Sequence, residues 1–135
     1  MKPKEITEQS GPWAGFWLQE AQRGSMRLTL HFAGTTFAGS GEDPSGDFHI
    51  EGAVHRDTNQ VTMDKRYSSM AVSRGAVPHL IYSGFWTGTF IHGHWQDSAT
   101  AWNTGEFELW PENPESIEER QIVRHELTVL APAGR

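Results

Sequence analysis

An all-β fold, an antiparallel up-and-down meander closed into a barrel of about eight strands, is predicted by three features of the sequence. Period-two alternation recurs in short runs along the chain, and no run carries a strong helical stripe. Six Trp, seven Phe and 14 Gly replace the Leu and Ala of a helical protein, within a hydrophobic content of only 36%. Turn signals separate the runs at short and fairly even spacing, as in a meander whose neighbouring strands are joined directly.

The clearest alternation spans Asp47 to Tyr67 and reads as a β-hairpin. Phe48, Ile50 and Val54 fall on one face, with Asp47, His49, Glu51 and His55 on the other. After a polar break at Arg56 to Gln60, Val61, Met63, Lys65 and Tyr67 continue the dry face. A lysine in line with core positions is costly unless it is paired. The turn before the hairpin carries Glu42 and Asp43, so the alternation points first to an ion pair or hydrogen bonds there, with the alternative that Lys65, with the hydroxyls of Tyr67 and Tyr82, faces a cavity and anchors a ligand carboxylate or carbonyl.

In chain order, residues Met1 to Pro12 are polar and read as a loose segment (1–12) of a single domain covering 1–135. Gly15 to Gln19 is a short first strand, and Met26, Leu28, Leu30 and Phe32 alternate in a second. Gly34-Thr35-Thr36 turns into a glycine-rich strand over Phe37 to Gly41, and Glu42 to Gly46 holds Asp-Pro and Ser-Gly turn signals. Ser68 to Val77 lacks a pattern and reads as strand end plus loop. His79 to Trp86 is a strand with Leu80, Tyr82 and Trp86 on one face, Thr87-Gly88 is a two-residue turn candidate, and Ile91 and Trp95 mark the next strand. Gly105 to Trp110 alternates again, stopped by Pro111 and Pro114. A short helical connection over 111–121 and a last strand over Ile122 to Leu130 complete the expected order.

Composition also restricts function. A net charge of −6 with scattered basic residues argues against a nucleic-acid partner. Without cysteine there is no disulfide, thiolate metal site or cysteine nucleophile, which suits a cytoplasmic protein. The charged N-terminus has no apolar core of a signal peptide and no run is long enough to span a bilayer, so no membrane partner is expected.

Gly15-Phe16-Trp17 resembles the Gly-x-Trp opening shared by lipocalins and avidins, the calycin barrels. The glycine-punctuated runs Gly39 to Gly52, Tyr82-Ser-Gly84, Ile91 to Trp95 and Gly105 to Trp110 are similar to the even meander of streptavidin-like members. The resemblance covers roughly Gly15 to Trp110 in rhythm more than in identity. It implies an up-and-down barrel that binds a small ligand at one mouth, with Trp17 buried near the closed end and Arg124 packed over its ring. The residues that contact biotin in streptavidin have no recognisable counterpart, so biotin is not implied.

For chemistry, His92-Gly93-His94 puts two imidazoles on one face of a strand, a spacing that can chelate a metal if a third ligand lies opposite, and that otherwise leaves two solvated histidines. No nucleophile elbow and no calcium-loop spacing occurs. Trp17, Trp86, Trp95, Trp102 and Trp110 with Tyr67 and Tyr82 could line a ligand pocket or simply fill the core. The favoured expectation is a non-enzymatic barrel without a cofactor, in which Lys65, Tyr67, Tyr82, Trp86 and Trp95 meet a small, partly apolar ligand. Two alternatives stand beside it. One is a solidly filled structural or protein-interaction module, open to self-association through Ile122, Val123, Leu127 and Val129 at a strand edge. The other is a metal-dependent enzyme built on His92 and His94.

Overall fold

The computed structural model describes residues 5–112. Eight strands follow one another in the closed order β1 to β8: β1 (Gly11–Gln19), β2 (Gln22–Ala33), β3 (Thr36–Asp43), β4 (Gly46–His55), β5 (Gln60–Tyr67), β6 (His79–Trp86), β7 (Ile91–Asp97) and β8 (Thr104–Pro111). Every neighbouring pair is antiparallel, and β8 closes on β1 with Trp17 opposite Phe107 and Trp13 opposite Pro111. The predicted all-β up-and-down barrel is therefore what the chain forms, an architecture compatible with a calycin-like fold. Of the expected helical connection over 111–121, Pro111 instead ends β8; residues 113–121, the last strand over Ile122 to Leu130 and Arg124 lie outside the described residues, and the barrel closes within residues 11–111.

The period-two pattern places the core as expected. Leu28, Leu30, Phe48, Ile50, Val61, Met63, Ile91, Trp95, Phe107 and Leu109 all point inward and are buried. Large side chains fit inside a narrow barrel because several inward positions are glycine. A Cβ on Gly39 would lie 1.9 Å from the carbonyl oxygen of Thr29, so β3 can approach β2 there only without a side chain.

Strand order assigns the turns to two ends. The connections Glu20–Ala21, Pro44–Ser45, 68–78 and 98–103 lie at one end, and Gly34–Thr35, 56–59 and 87–90 at the other, together with the start of β1 and the end of β8. The second end, the base, is plugged. Trp13 is fully buried and packs against Trp86 at 5.9 Å and Phe32 at 6.3 Å, while Phe32 lies 4.9 Å from Phe37.

Four details differ from the sequence expectation. The segment before Trp13 is not loose throughout. A 3-10 turn, Ile6–Glu8, places Ile6 in the core, and Gln9 accepts a hydrogen bond from the Trp13 indole nitrogen at 2.7 Å, because the open base needs an apolar cover. Trp17 is not at the closed end. It is half-buried near the opposite rim, and the closed-end tryptophan is Trp13, which belongs to a second Gly-x-Trp, Gly11-Pro12-Trp13. The run after Tyr67 forms a short helix, α1 (Ser69–Ser73), with the Ser68 hydroxyl accepting from the Ala71 amide. The connection after β6 is four residues long, 87–90, and the Thr87 amide donates to the Phe90 carbonyl.

Truncating a fully buried side chain removes apolar transfer energy and leaves a cavity. Ile50→Ala should cost about 2–5 kcal/mol and lower the melting temperature sharply, whereas Glu51→Ala, on the solvated face one residue on, should change it little. Thermal melts of the two variants side by side check the assignment of faces.

Candidate functional site

The rim opposite the base carries the chain's most unusual core position. Lys65, on β5, is fully buried, and so is the side chain of Asp43 at the end of β3. Alternation places both inward. The two-residue turn Pro44–Ser45 brings the end of β3 to the start of β4, which pairs with β5, so lysine and aspartate meet across one intervening strand. Lys65 Nζ lies 2.6 Å from Asp43 Oδ2. The ion pair proposed from the alternation is present.

Further groups complete the shell. Asp43 Oδ2 also accepts from the Tyr67 hydroxyl at 2.5 Å and from Trp17 Nε1 at 3.2 Å, and Asp43 Oδ1 accepts from the Ser45 amide at 2.8 Å. Lys65 Nζ donates to the Tyr82 hydroxyl at 3.2 Å and to Met26 Sδ at 3.7 Å. The ammonium lies 4.3 Å from the ring centre of Phe48, 4.8 Å from that of Tyr67 and 5.3 Å from that of Tyr82, so aromatic faces take the place of water around the charge.

These surroundings shift the ionisable groups. Burial pulls the Lys65 ammonium down from its ordinary 10.5 to about 8, a pull that Asp43 opposes by charge and hydrogen bond without cancelling. Burial raises the Tyr67 phenol well above its ordinary range, with Asp43 adding to the effect by hydrogen bond and charge. Tyr82 is raised too, chiefly by burial. Both phenols are therefore protonated at neutral pH.

Above this cluster is a small cleft of about 60 Å³, lined among others by Trp17, Tyr67, Val77, Tyr82, Trp95 and Asn103. Trp95 is fixed by donation from its indole nitrogen to the Leu18 carbonyl at 2.9 Å, and Gln19 donates to Asn103 Oδ1 at 2.8 Å across the mouth. Four of the five residues expected to meet a ligand are thus assembled at one end: Tyr67, Tyr82 and Trp95 at the cleft, and Lys65 hydrogen-bonded to Tyr82 and to Asp43 beside it. Trp86 is not brought to them. It shares their face but lies four residues further along β6 than Tyr82, at the base against Trp13. Of the other aromatic candidates, Trp102 is 84% exposed on the 98–103 connection, and Trp110 packs against Phe16 at 6.1 Å.

His92 and His94 face outward on β7 and are exposed. His92 lies 3.6 Å from Glu106 and 3.8 Å from Glu108, and among the described residues no group of three or more His, Asp or Glu is arranged to hold a metal ion. Trp17, Asp43, Ser45 and Asn103 are site residues that the sequence-based ligand set omits. Asp43 could be found from the cost of burying Lys65; Asn103 carries no periodic signal because it sits on a loop.

Comparisons with family models, curated proteins and solved structures find no match to this chain. What the barrel does must therefore follow from its own residues.

Two expectations follow from the pair. Lys65→Met leaves the Asp43 carboxylate buried without its counter-charge and should cost about 3–5 kcal/mol, and adding Asp43→Asn should recover most of that loss. Thermal melts of the two single variants and the double variant measure the coupling. The second concerns pH. Between about 8 and the ordinary 10.5 of lysine, the unfolded chain keeps the Lys65 proton that the folded protein has released, so the unfolded state binds more protons and stability rises with pH. Above about 10 the unfolded tyrosines ionise while Tyr67 and Tyr82 stay protonated in the fold, so the sign reverses and stability falls. The rise, but not the fall, should disappear from the pH series of melts of the Lys65→Met, Asp43→Asn double variant.

Proposed function

We propose that the protein is a non-enzymatic, calycin-like binding barrel that takes one end of a small, partly apolar ligand at its mouth. The observation that carries this reading is the asymmetry of the two ends. The base is filled by Ile6, Trp13, Phe32, Phe37 and Trp86, while the opposite end keeps a cleft whose walls combine indole and phenol rings with polar side chains. Such a mixture suits recognition better than packing, because polar groups at a wall add directionality to apolar contact.

The size of the cleft limits what enters. At about 60 Å³ it is about a fifth of the lower end of typical ligand pockets, near 300 Å³, so only one end of a ligand inserts and the remainder lies across the rim. Lys65 has its ammonium hydrogens directed to Asp43, Tyr82 and Met26, and on this reading it supports the walls without touching the ligand. The strand number and up-and-down order support the calycin-like part of the reading.

A second reading, a solid barrel acting as a protein-interaction module, draws on the exposure of Trp102, 84%, and of Met70, 63%, on the two longest connections of the mouth end. Blocking the cleft separates the two. With a ligand found by native mass spectrometry against a small-molecule library, Val77→Trp should weaken binding at least about tenfold, as loss of buried ligand surface requires. Phe85→Ser, on the outer face of β6, should leave binding unchanged, and quenching of intrinsic tryptophan fluorescence provides the readout. Binding that survives Val77→Trp would place the ligand elsewhere.

A further inference from the structure

One residue that lines the cleft carries a hydroxyl hydrogen that no described residue accepts. Each hydrogen of the Lys65 ammonium has an acceptor, in Asp43 Oδ2, the Tyr82 oxygen and Met26 Sδ. Tyr67 spends its hydroxyl hydrogen on Asp43, Trp17 donates to Asp43, and Trp95 donates to the Leu18 carbonyl. Tyr82 differs. Its oxygen accepts from Lys65, but its own hydroxyl hydrogen has no acceptor among the described residues, although the side chain is only 1% exposed and lines the cleft. Buried donors without a partner are rare and costly, so one at the wall of a cleft marks where an acceptor belongs.

Three further observations define that acceptor. Donation from Lys65 into the Tyr82 oxygen polarises the phenol and makes its hydroxyl a stronger donor. Burial keeps the phenol protonated, so the hydrogen is present to be given. Charge is already balanced, since the Lys65 ammonium and the Asp43 carboxylate neutralise each other within the same shell. An anion would therefore bring an unmatched charge into a dry site, and a cation would offer no acceptor to the phenol.

Building on the mouth-binding reading, we infer that the Tyr82 hydroxyl is the anchoring donor of the cleft and that the inserted end of the ligand carries a neutral oxygen acceptor, the carbonyl of an amide, ketone or ester. The flat carbonyl group lies beside Trp17 and Trp95, and its apolar substituents cross the rim. Lys65 is a positioning residue that orients and polarises the phenol.

The test uses three small probes of similar size on the full chain: N,N-dimethylacetamide as a neutral acceptor, isovalerate as an anion and diethylammonium as a cation. The indole N–H resonances of Trp17 and Trp95 report entry, and the Tyr82 hydroxyl proton, sheltered from exchange by burial, reports the bond. Dimethylacetamide should shift both indoles saturably and move the hydroxyl proton downfield, the other two probes should bind at least tenfold more weakly, and Tyr82→Phe should weaken dimethylacetamide about tenfold. Equal binding of dimethylacetamide by Tyr82→Phe, or tighter binding of isovalerate, would overturn the inference while leaving the mouth as a binding site. If no probe shifts the Trp17 and Trp95 resonances, the mouth-binding reading fails with it. Should Tyr82→Phe fold poorly, the ranking of probes and the hydroxyl shift in the unaltered protein decide the matter.

Discussion

The mouth end depends on burying one lysine opposite one aspartate. An ammonium removed from water is stable inside a barrel only if its charge is met and its hydrogens are accepted, and Asp43, Tyr82 and Met26 do this for Lys65. The requirement spreads outward. Asp43 needs donors of its own and draws in Tyr67, Trp17 and the Ser45 amide, which fixes the turn between β3 and β4 and the orientation of two rings that wall the cleft. A pair that adds little net stability thus constrains its surroundings: β1, β2, β3, β5 and β6 each supply a member of the shell, and moving any one of them breaks a hydrogen bond.

The barrel consequently has two ends built on different principles. At the base, close packing of aromatic rings and Ile6 provides cohesion without direction. At the mouth, directional bonds hold rings and polar side chains in fixed positions, and a cleft remains beside the polar shell. A cavity of this kind persists because collapsing it would break hydrogen bonds, whereas an apolar void at the base could close by small side-chain shifts.

Much of this was legible in the sequence, and each exception has a physical cause. Alternation in β2, β4, β5 and β8 gave the inward faces correctly, and the inward Lys65 called for a partner that the preceding turn could supply. Period two, however, says which face a residue occupies and nothing about its height along the barrel axis. That height depends on the stagger between strands, a property of all eight strands together. Trp86 and Tyr82, four residues apart on one face of β6, reach opposite ends by strand rise alone, and Trp13 closes the base where the resemblance implies Trp17. The Ile6 turn escaped detection because a single apolar residue in a polar stretch has no period, and α1 because it is shorter than two turns.

Closure of β8 on β1 has a consequence for how the protein meets its surroundings. Each described strand is bonded on both sides, so the barrel offers no row of unpaired amides and carbonyls onto which another chain could add a strand. Association through the described strands is limited to side-chain contact between surfaces, which demands shape complementarity and is easily abolished by a single charge. Laid open, the sheet would present two bare strand edges, and the ring of hydrogen bonds withholds them for as long as it stays shut.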